Sequence, residues 1–290
     1  LRKNKGFSRL CPRKEIYDTD SGGIIMNISK LLNKKDEKEE AIAEGKLMPR
    51  IIAHRGASWK NGRGNTLEAF QLAIDIKADM VEFDVRKTSD NVLIVYHDST
   101  LDGKKISDLT YNRINDLAKK ENYSVPKLEE VLKLCKGKIA LDIELKESGY
   151  ERHVINQVKE MFGYGEFSIK SFKDKVSYNV KSIDPRIRTG LLLGKEHAKC
   201  DTRINEFFPM RRIRRCKADF VSPHYLLATP GFVRRMKARN IPVYVWTVND
   251  PHEMKKLSRL KVEAIITDRP EIMMKVRHER LERLFGRHRD

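Results

Sequence analysis

The chain has no run of about 18–20 apolar residues, the length a helix needs to cross a bilayer, so none of its 290 residues read as a membrane span. Residues 1–10 are basic but lack the apolar stretch of a secretory leader. A membrane segment upstream of Leu1 is compatible with this sequence. Cysteine is scarce. Cys11, Cys135, Cys200 and Cys216 show neither metal-type pairing nor a dense disulfide framework, which predicts a reducing compartment such as a bacterial cytoplasm. Aromatic residues make up only 8% and are sparse among the arginines, which argues against a base-stacking surface and a nucleic-acid partner. No Gly-rich phosphate loop follows the first expected strand, and that counts against a doubly wound dinucleotide fold.

Charge of one sign is abundant: the formal net charge is +18. Between Lys195 and Arg239, twelve basic and four acidic residues leave +8 in one stretch. Arg211, Arg212, Arg214 and Arg215 fall late in an expected helix ahead of the strand Ala218–Val221, where cations complement a helix C-terminus. In a parallel β/α architecture that places them at the pole away from the strand C-termini, as a solvated face. Weak contact with an anionic membrane surface is the competing reading.

Residues 1–48 form a polar, basic extension with a charged helical stretch over Ile28–Glu44. Ser21-Gly22-Gly23 precedes Met26, and Gly-Gly codons can spell a ribosome-binding sequence, which predicts translation starting at Met26. From Arg50 onward, short apolar runs alternate with amphipathic segments. The expected strands are Ile51–Ala53, Met80–Val85, Ile139–Leu145, Phe167–Ser171, Arg188–Leu193, Ala218–Val221, Val243–Trp246 and Ala264–Thr267. The expected helices include Thr66–Ile76, Leu128–Cys135, His153–Met161, Pro230–Arg239 and Pro251–Leu260. The pattern predicts an α/β fold, a (β/α)8 TIM barrel, over residues 49–276, with a charged helical tail at 277–290. Val92–Tyr96 also reads as a strand, too close to its predecessor for a helical crossover, so a hairpin or irregular addition is expected there.

Charged residues cluster where these strands end. Period-two alternation puts Glu82 and Asp84 on one face of their strand, and Asp142, Glu144 and Lys146 on one face of theirs, opposite Val, Phe, Leu and Ile. Carboxylates gathered inside a barrel need partners. A divalent cation is the economical one, and all-oxygen ligation favours Mg²⁺ or Ca²⁺. Ordinary ion pairing with Arg55 and Lys146 is the bland alternative. His54 and His97 could serve as base and acid, since imidazole titrates near neutrality. His224, in Ser222-Pro223-His224 after a strand, is a candidate substrate contact.

Ile52-Ala53-His54-Arg55-Gly56-Ala57-Ser58 and Asn65-Thr66-Leu67-Glu68-Ala69-Phe70 resemble the opening signature of glycerophosphodiester phosphodiesterases. Val81-Glu82-Phe83-Asp84-Val85, Val95-Tyr96-His97-Asp98, Val125–Leu132, Asp142–Lys146, Val245-Trp246-Thr247-Val248-Asn249 and Ile266–Pro270 follow in the family's order, over about Pro49 to Val276. The resemblance implies a TIM barrel that hydrolyses glycerophosphodiesters to glycerol 3-phosphate and an alcohol. It implies that Glu82, Asp84 and Glu144 hold the metal and that His54 and His97 are the catalytic pair. It further implies phosphate binding by Arg55 and Lys146, a pocket wall at Trp246, and a loop- or metal-supporting role for Asn65. Thr267-Asp268 is expected to close the last strand.

Two departures stand out. Gly64 occupies the position where the family usually has Glu, removing a carboxylate near the site. The segment Ser99–Leu109 is short and lacks an Arg-Thr-Thr run, predicting an open pocket and loose leaving-group selectivity. A lysophospholipase D or sphingomyelinase D type activity on the same barrel, and a weakly active anionic-surface module, are the competing functions.

Overall fold

A computed structural model describes residues 48–58, 62–194 and 200–285; the stretch Ile28–Glu44, Met26 and most of the expected extension lie outside the described residues. Apolar β-branched runs become strands, and each amphipathic segment becomes a helix packed outside them. In chain order the strands are β1 (Arg50–Ala53), β2 (Met80–Lys87), β3 (Leu93–Val95), β4 (Thr100–Leu101), β5 (Lys104–Lys105), β6 (Ala140–Leu145), β7 (Phe167–Ser171), β8 (Arg188–Leu193), β9 (Phe220–Pro223), β10 (Tyr244–Val245) and β11 (Ala264–Thr267). Eight of them among the described residues pair in parallel in the order β10-β11-β1-β2-β6-β7-β8-β9. The ring is nearly closed. Between β9 and β10 the ladder among the described residues is reduced to the isolated bridges Val221–Val243 and His224–Trp246, to which the Ser222 hydroxyl on Tyr244 O at 2.9 Å and the Trp246 indole N–H on Ser222 O at 2.7 Å add side-chain ties. Pro223 and Pro242, which have no N–H to donate, border this seam and account for its thin pairing. The result is the expected (β/α)8 TIM barrel.

Alternation sorts the interior into layers. Val81, Phe83, Val85, Leu141, Ile143 and Leu145 face outward and join the main core beneath the helices. Ile52, Met80, Phe220, Tyr244, Ala264 and Ile266 face inward as the barrel floor, where the rings of Phe220 and Tyr244 stack at 4.3 Å. Above them lie Asp142, Ser168 and Lys170, all buried. Glu82 is in register with Asp142, and Asp84 and Glu144, paired with each other, stand two residues further toward the strand C-termini.

The extra strand is a hairpin arm. β3 pairs antiparallel with the extended end of β2, through Val85–Val95, Arg86–Ile94 and Lys87–Leu93. Its apolar side packs with Leu101, Ile106, Ile114, Leu117 and Val125 as a separate small core. At the other end, helix Pro270–Phe285 runs unbroken past residue 277. Buried Arg277 donates to Pro49 O at 3.1 Å and pairs with Asp79, so the last helix of the barrel takes in the first residues expected in the tail.

The arginine cluster is only partly where the sequence pattern put it: Arg214 and Arg215 do fall in the last turn of their helix, Arg211 and Arg212 do not. The expected single helix is two, Cys200–Phe207 and Met210–Cys216. Pro209 caps the second and disfavours helical geometry at Phe208, so Arg211 and Arg212 fall in a first turn rather than a last one. A helix leading into β9 starts at the pole of the strand C-termini. Arg212 accordingly donates to Phe172 O at 3.2 Å, immediately after β7 ends.

Candidate active site

The first loop is fixed by two glycines. Gly56 has φ +81, and a Cβ there would come within 2.6 Å of the Ala69 backbone, so only glycine lets this turn approach helix Leu67–Asp75. Ala57 N donates to Ala69 O at 2.9 Å across that contact. Gly64 plays the same part on the other side: a Cβ would meet Arg55 Cβ at 2.6 Å. The close approach lets Asn65 N donate to Arg55 O at 2.9 Å and the Asn65 side-chain amide donate to Asp84 Oδ2 at 2.8 Å. Asn65 therefore ties the loop to an acidic residue of β2.

Glu82, Asp84 and Glu144 converge: one carboxylate oxygen from each lies within 4.8 Å of the other two, and all three residues are buried. Lys146 Nζ sits between two of them, 2.9 Å from Asp84 Oδ1 and 2.8 Å from Glu144 Oε1. Arg55 Nε approaches Asp84 Oδ2 at 3.2 Å as an ion pair without hydrogen-bond alignment. Burial alone would push Asp84 up, but Lys146, Arg55 and His97 hold it well below the usual carboxylate range. Burial pushes Glu144 up to about 7 against the pull of Lys146, and the charges of Asp84 and Glu82 push the same way. Burial works against the Lys146 ammonium, yet Asp84 and Glu144 raise it further. Three buried carboxylates, one of them resisting ionisation, make an all-oxygen donor set that could hold an ion.

His54 ends β1. Its Nδ1 lies 2.6 Å from Asp268 Oδ1, and its Nε2 is 3.9 Å from Glu82 Oε2. A carboxylate only accepts, so the Nδ1 carries the hydrogen and Nε2 is left facing the acidic cluster. Burial would raise Asp268, but its bond to His54 holds it low. Asn249 fixes Asp268 from behind, donating from Nδ2 to Oδ2 at 2.7 Å and accepting from the Asp268 N–H at 2.9 Å. Asp268 therefore does more than end the strand as the sequence suggested; Thr267 alone has the closing part, with its hydroxyl on Asn249 Oδ1 at 3.0 Å.

His97 arrives by the hairpin arm. Tyr96 N donates to Asp84 O at 2.9 Å, and Arg86 donates to His97 O from Nε at 3.0 Å and Nη2 at 2.6 Å. The His97 Nδ1 is 2.7 Å from Asp98 Oδ1. Burial lowers His97, with Lys146 and Arg55 adding to it and Asp84 and Asp98 opposing.

These groups line one cavity of about 420 Å³ that holds His54, Arg55, Glu82, His97, Glu144 and Lys146 against a wall of Phe172, Leu192 and Trp246. The rings of Phe172 and Trp246 meet edge-on at 5.5 Å. His224 is not among the lining residues; its ring stands edge-on to Trp246 at 5.2 Å and backs that wall instead. Lys170 does line the cavity and went unsuspected. Its ammonium, 2% exposed, lies 2.6 Å from Asp142 Oδ2 and 3.5 Å from Glu82 Oε1, and Ser168 donates to Asp142 Oδ1 at 2.7 Å. The signal was present in the sequence: Lys170 alternates with Ile169 in a strand whose inward face also carries Ser168.

A TIM barrel with carboxylates, imidazoles and cations gathered at the C-terminal mouth has the architecture on which barrel enzymes build their sites. The Glycerophosphoryl diester phosphodiesterase family matches residues 54–272, and the chain belongs to that family of phosphodiesterases. It is 31% identical over 242 residues to a glycerophosphodiester phosphodiesterase of Caldanaerobacter subterraneus subsp. tengcongensis, covering 77% of this chain and 96% of that one. A glycerophosphodiester phosphodiesterase from Parabacteroides distasonis superposes with TM-score 0.69 at 30% identity, covering 80% of this chain and 98% of that chain. A phosphodiesterase from Oleispira antarctica, solved with the product sn-glycerol-3-phosphate, shares the fold at TM-score 0.67 and 21% identity, covering 80% and 97%. No helix of the described residues is long and apolar enough to cross a membrane.

Proposed function

We propose that the chain hydrolyses glycerophosphodiesters to glycerol 3-phosphate and an alcohol at this cavity. The observation that carries the proposal is the convergence of Glu82, Asp84 and Glu144 within 4.8 Å, with His54 Nε2 3.9 Å from Glu82 and Lys146 bonded between two of the acids. A divalent cation held by the three carboxylates, Mg²⁺ or Ca²⁺ by the hardness of the donors, would supply charge neutralisation at a non-bridging phosphate oxygen.

The chain's own groups do the rest. Arg55 and Lys146 bind the phosphate anion. One imidazole takes the proton of the nucleophile, and the other gives a proton to the departing alcohol as its bond to phosphorus breaks. The nucleophile is either water or the neighbouring glycerol hydroxyl; the second route closes a cyclic phosphate that water then opens, with the same products. Asp268 holds His54 in one tautomer, and Asp98 engages His97, so each ring presents a defined nitrogen. Trp246 and Phe172 wall the cavity, with His224 behind Trp246.

A panel of glycerophosphodiesters and lyso-lipids, assayed with Mg²⁺, Ca²⁺ and chelator, tests this. Release of glycerol 3-phosphate that chelator abolishes is expected. Turnover of lyso-lipids alone, or activity indifferent to chelator, would refute the assignment. Glu82→Gln is expected to weaken metal dependence.

A further inference from the structure

A second cleft opens beside the cavity, about 630 Å³, and shares the Phe172–Leu192 wall with it. Five cations line it, Lys173, Lys175, Arg211, Arg212 and Arg215, against two carboxylates, Asp174 and Glu206. Both carboxylates are engaged. Arg212 binds Asp174 at 2.7 Å with Arg215 on its other oxygen, and Arg203 binds Glu206 at 2.9 Å. Lys173, Lys175 and Arg211 have no carboxylate partner among the described residues. Lys173 also lines a smaller recess with Arg86, His97, Lys146 and Phe172, in which Asp98 and Glu144 are the carboxylates, so cations extend from beside the acid–base groups to the edge of the cleft.

We propose that this cleft is a subsite for a second phosphate, and that the preferred substrates are glycerophosphodiesters whose leaving alcohol itself carries a phosphate group. The inference rests on the proposed phosphodiesterase function and names its substrate class. Glycerol 3-phosphate is the constant product, so the variable half of the substrate is the alcohol, and that half must extend out of the cavity. Beyond the Phe172–Leu192 wall it meets lysines and a guanidinium free to bind phosphate oxygens. A cationic alcohol such as choline would meet repulsion there. A flat membrane surface fits less well, because the cations line a recess that adjoins the cavity at Phe172 and Leu192 instead of standing on a convex face. The open pocket therefore does not imply the indifference to leaving group that the short Ser99–Leu109 segment suggested. The reaction is ordinary hydrolysis: water adds, one P–O bond breaks, and glycerol 3-phosphate and an alcohol phosphate leave.

The test compares kcat/KM for glycerophosphocholine, glycerophosphoglycerol and glycerophosphoglycerol bearing a terminal phosphomonoester, with Mg²⁺ at low salt. The phosphorylated diester is expected to exceed the choline diester by about tenfold or more, with the ratio shrinking as ionic strength rises from about 0.05 to 0.5 M. A folded K175E/R211E variant, verified by its thermal midpoint, is expected to bring the ratio close to one. Equal efficiency on all three diesters, or an unchanged ratio in the variant, overturns this inference and leaves the phosphodiesterase reading standing. No turnover on any diester overturns both. A ratio near one together with salt-sensitive association with phosphatidylglycerol vesicles assigns the cleft to a membrane surface and likewise overturns it.

Discussion

Glu144 is the residue whose surroundings disagree most with its chemistry. Burial and the neighbouring acids favour its protonated form, with a value of about 7, while Lys146 pulls it the other way. A metal ion can use Glu144 only after displacing that proton, so metal binding and protonation compete. The sign follows: affinity falls as pH drops below about 7 and levels off above it. Calorimetric titration is expected to show about tenfold tighter divalent-ion binding at pH 8 than at pH 6, with a proton released at the lower pH. An affinity independent of pH would remove Glu144 from the ligand set. The imidazoles are separable from this effect. His54→Ala and His97→Ala are each expected to lower turnover by about 10²–10⁴ while leaving metal affinity nearly intact. Near-wild-type turnover in both would end their assignment as acid and base.

Strand alternation is the element-scale rule that made the acidic face legible. Once Met80–Lys87 and Ala140–Leu145 were strands, Glu82, Asp84 and Glu144 had to share the interior. His97 was not legible this way. Its place depends on an antiparallel arm and on Arg86 holding its carbonyl, long-range facts with no local period. The arginine cluster misled for a simpler reason: Pro209 splits one apparent helix into two, which reverses which end Arg211 and Arg212 occupy. Lys170 shows what alternation alone leaves open, since its neighbours in sequence do not reveal that Asp142 on β6 awaits it. Desolvation opposes that buried ammonium, and Asp142 and Glu82 together outweigh it and keep its proton bound. Removing one member of such a pair strands the other, so Lys170→Met is expected to cost about 3–5 kcal/mol in urea unfolding. A compensating Asp142→Leu in the same chain is expected to recover a large part of the loss. Equal instability of single and double variants would show that the pair is not the cause.

At the scale of the whole barrel, the staves are not equally joined. β2 and β6 match over six residue pairs, from Met80–Ala140 to Val85–Leu145, whereas among the described residues the backbones of β9 and β10 pair through two isolated bridges. Among the eight barrel strands, amide exchange is expected to be fastest at Tyr244–Val245 and slowest across β2 and β6. Uniform protection around the ring would show the seam to be as firm as the rest. Trp246 spans that seam on the face that bounds the cavity, donating its backbone N–H to Pro223 O at 3.1 Å and its indole N–H to Ser222 O at 2.7 Å, with His224 across the gap. The vessel is thus stitched by six ladder pairs where its acids keep their spacing, and at the aromatic panel largely through one residue. Under the proposed function, an alcohol of greater girth would press on that one residue, on the side of the ring opposite β2 and β6.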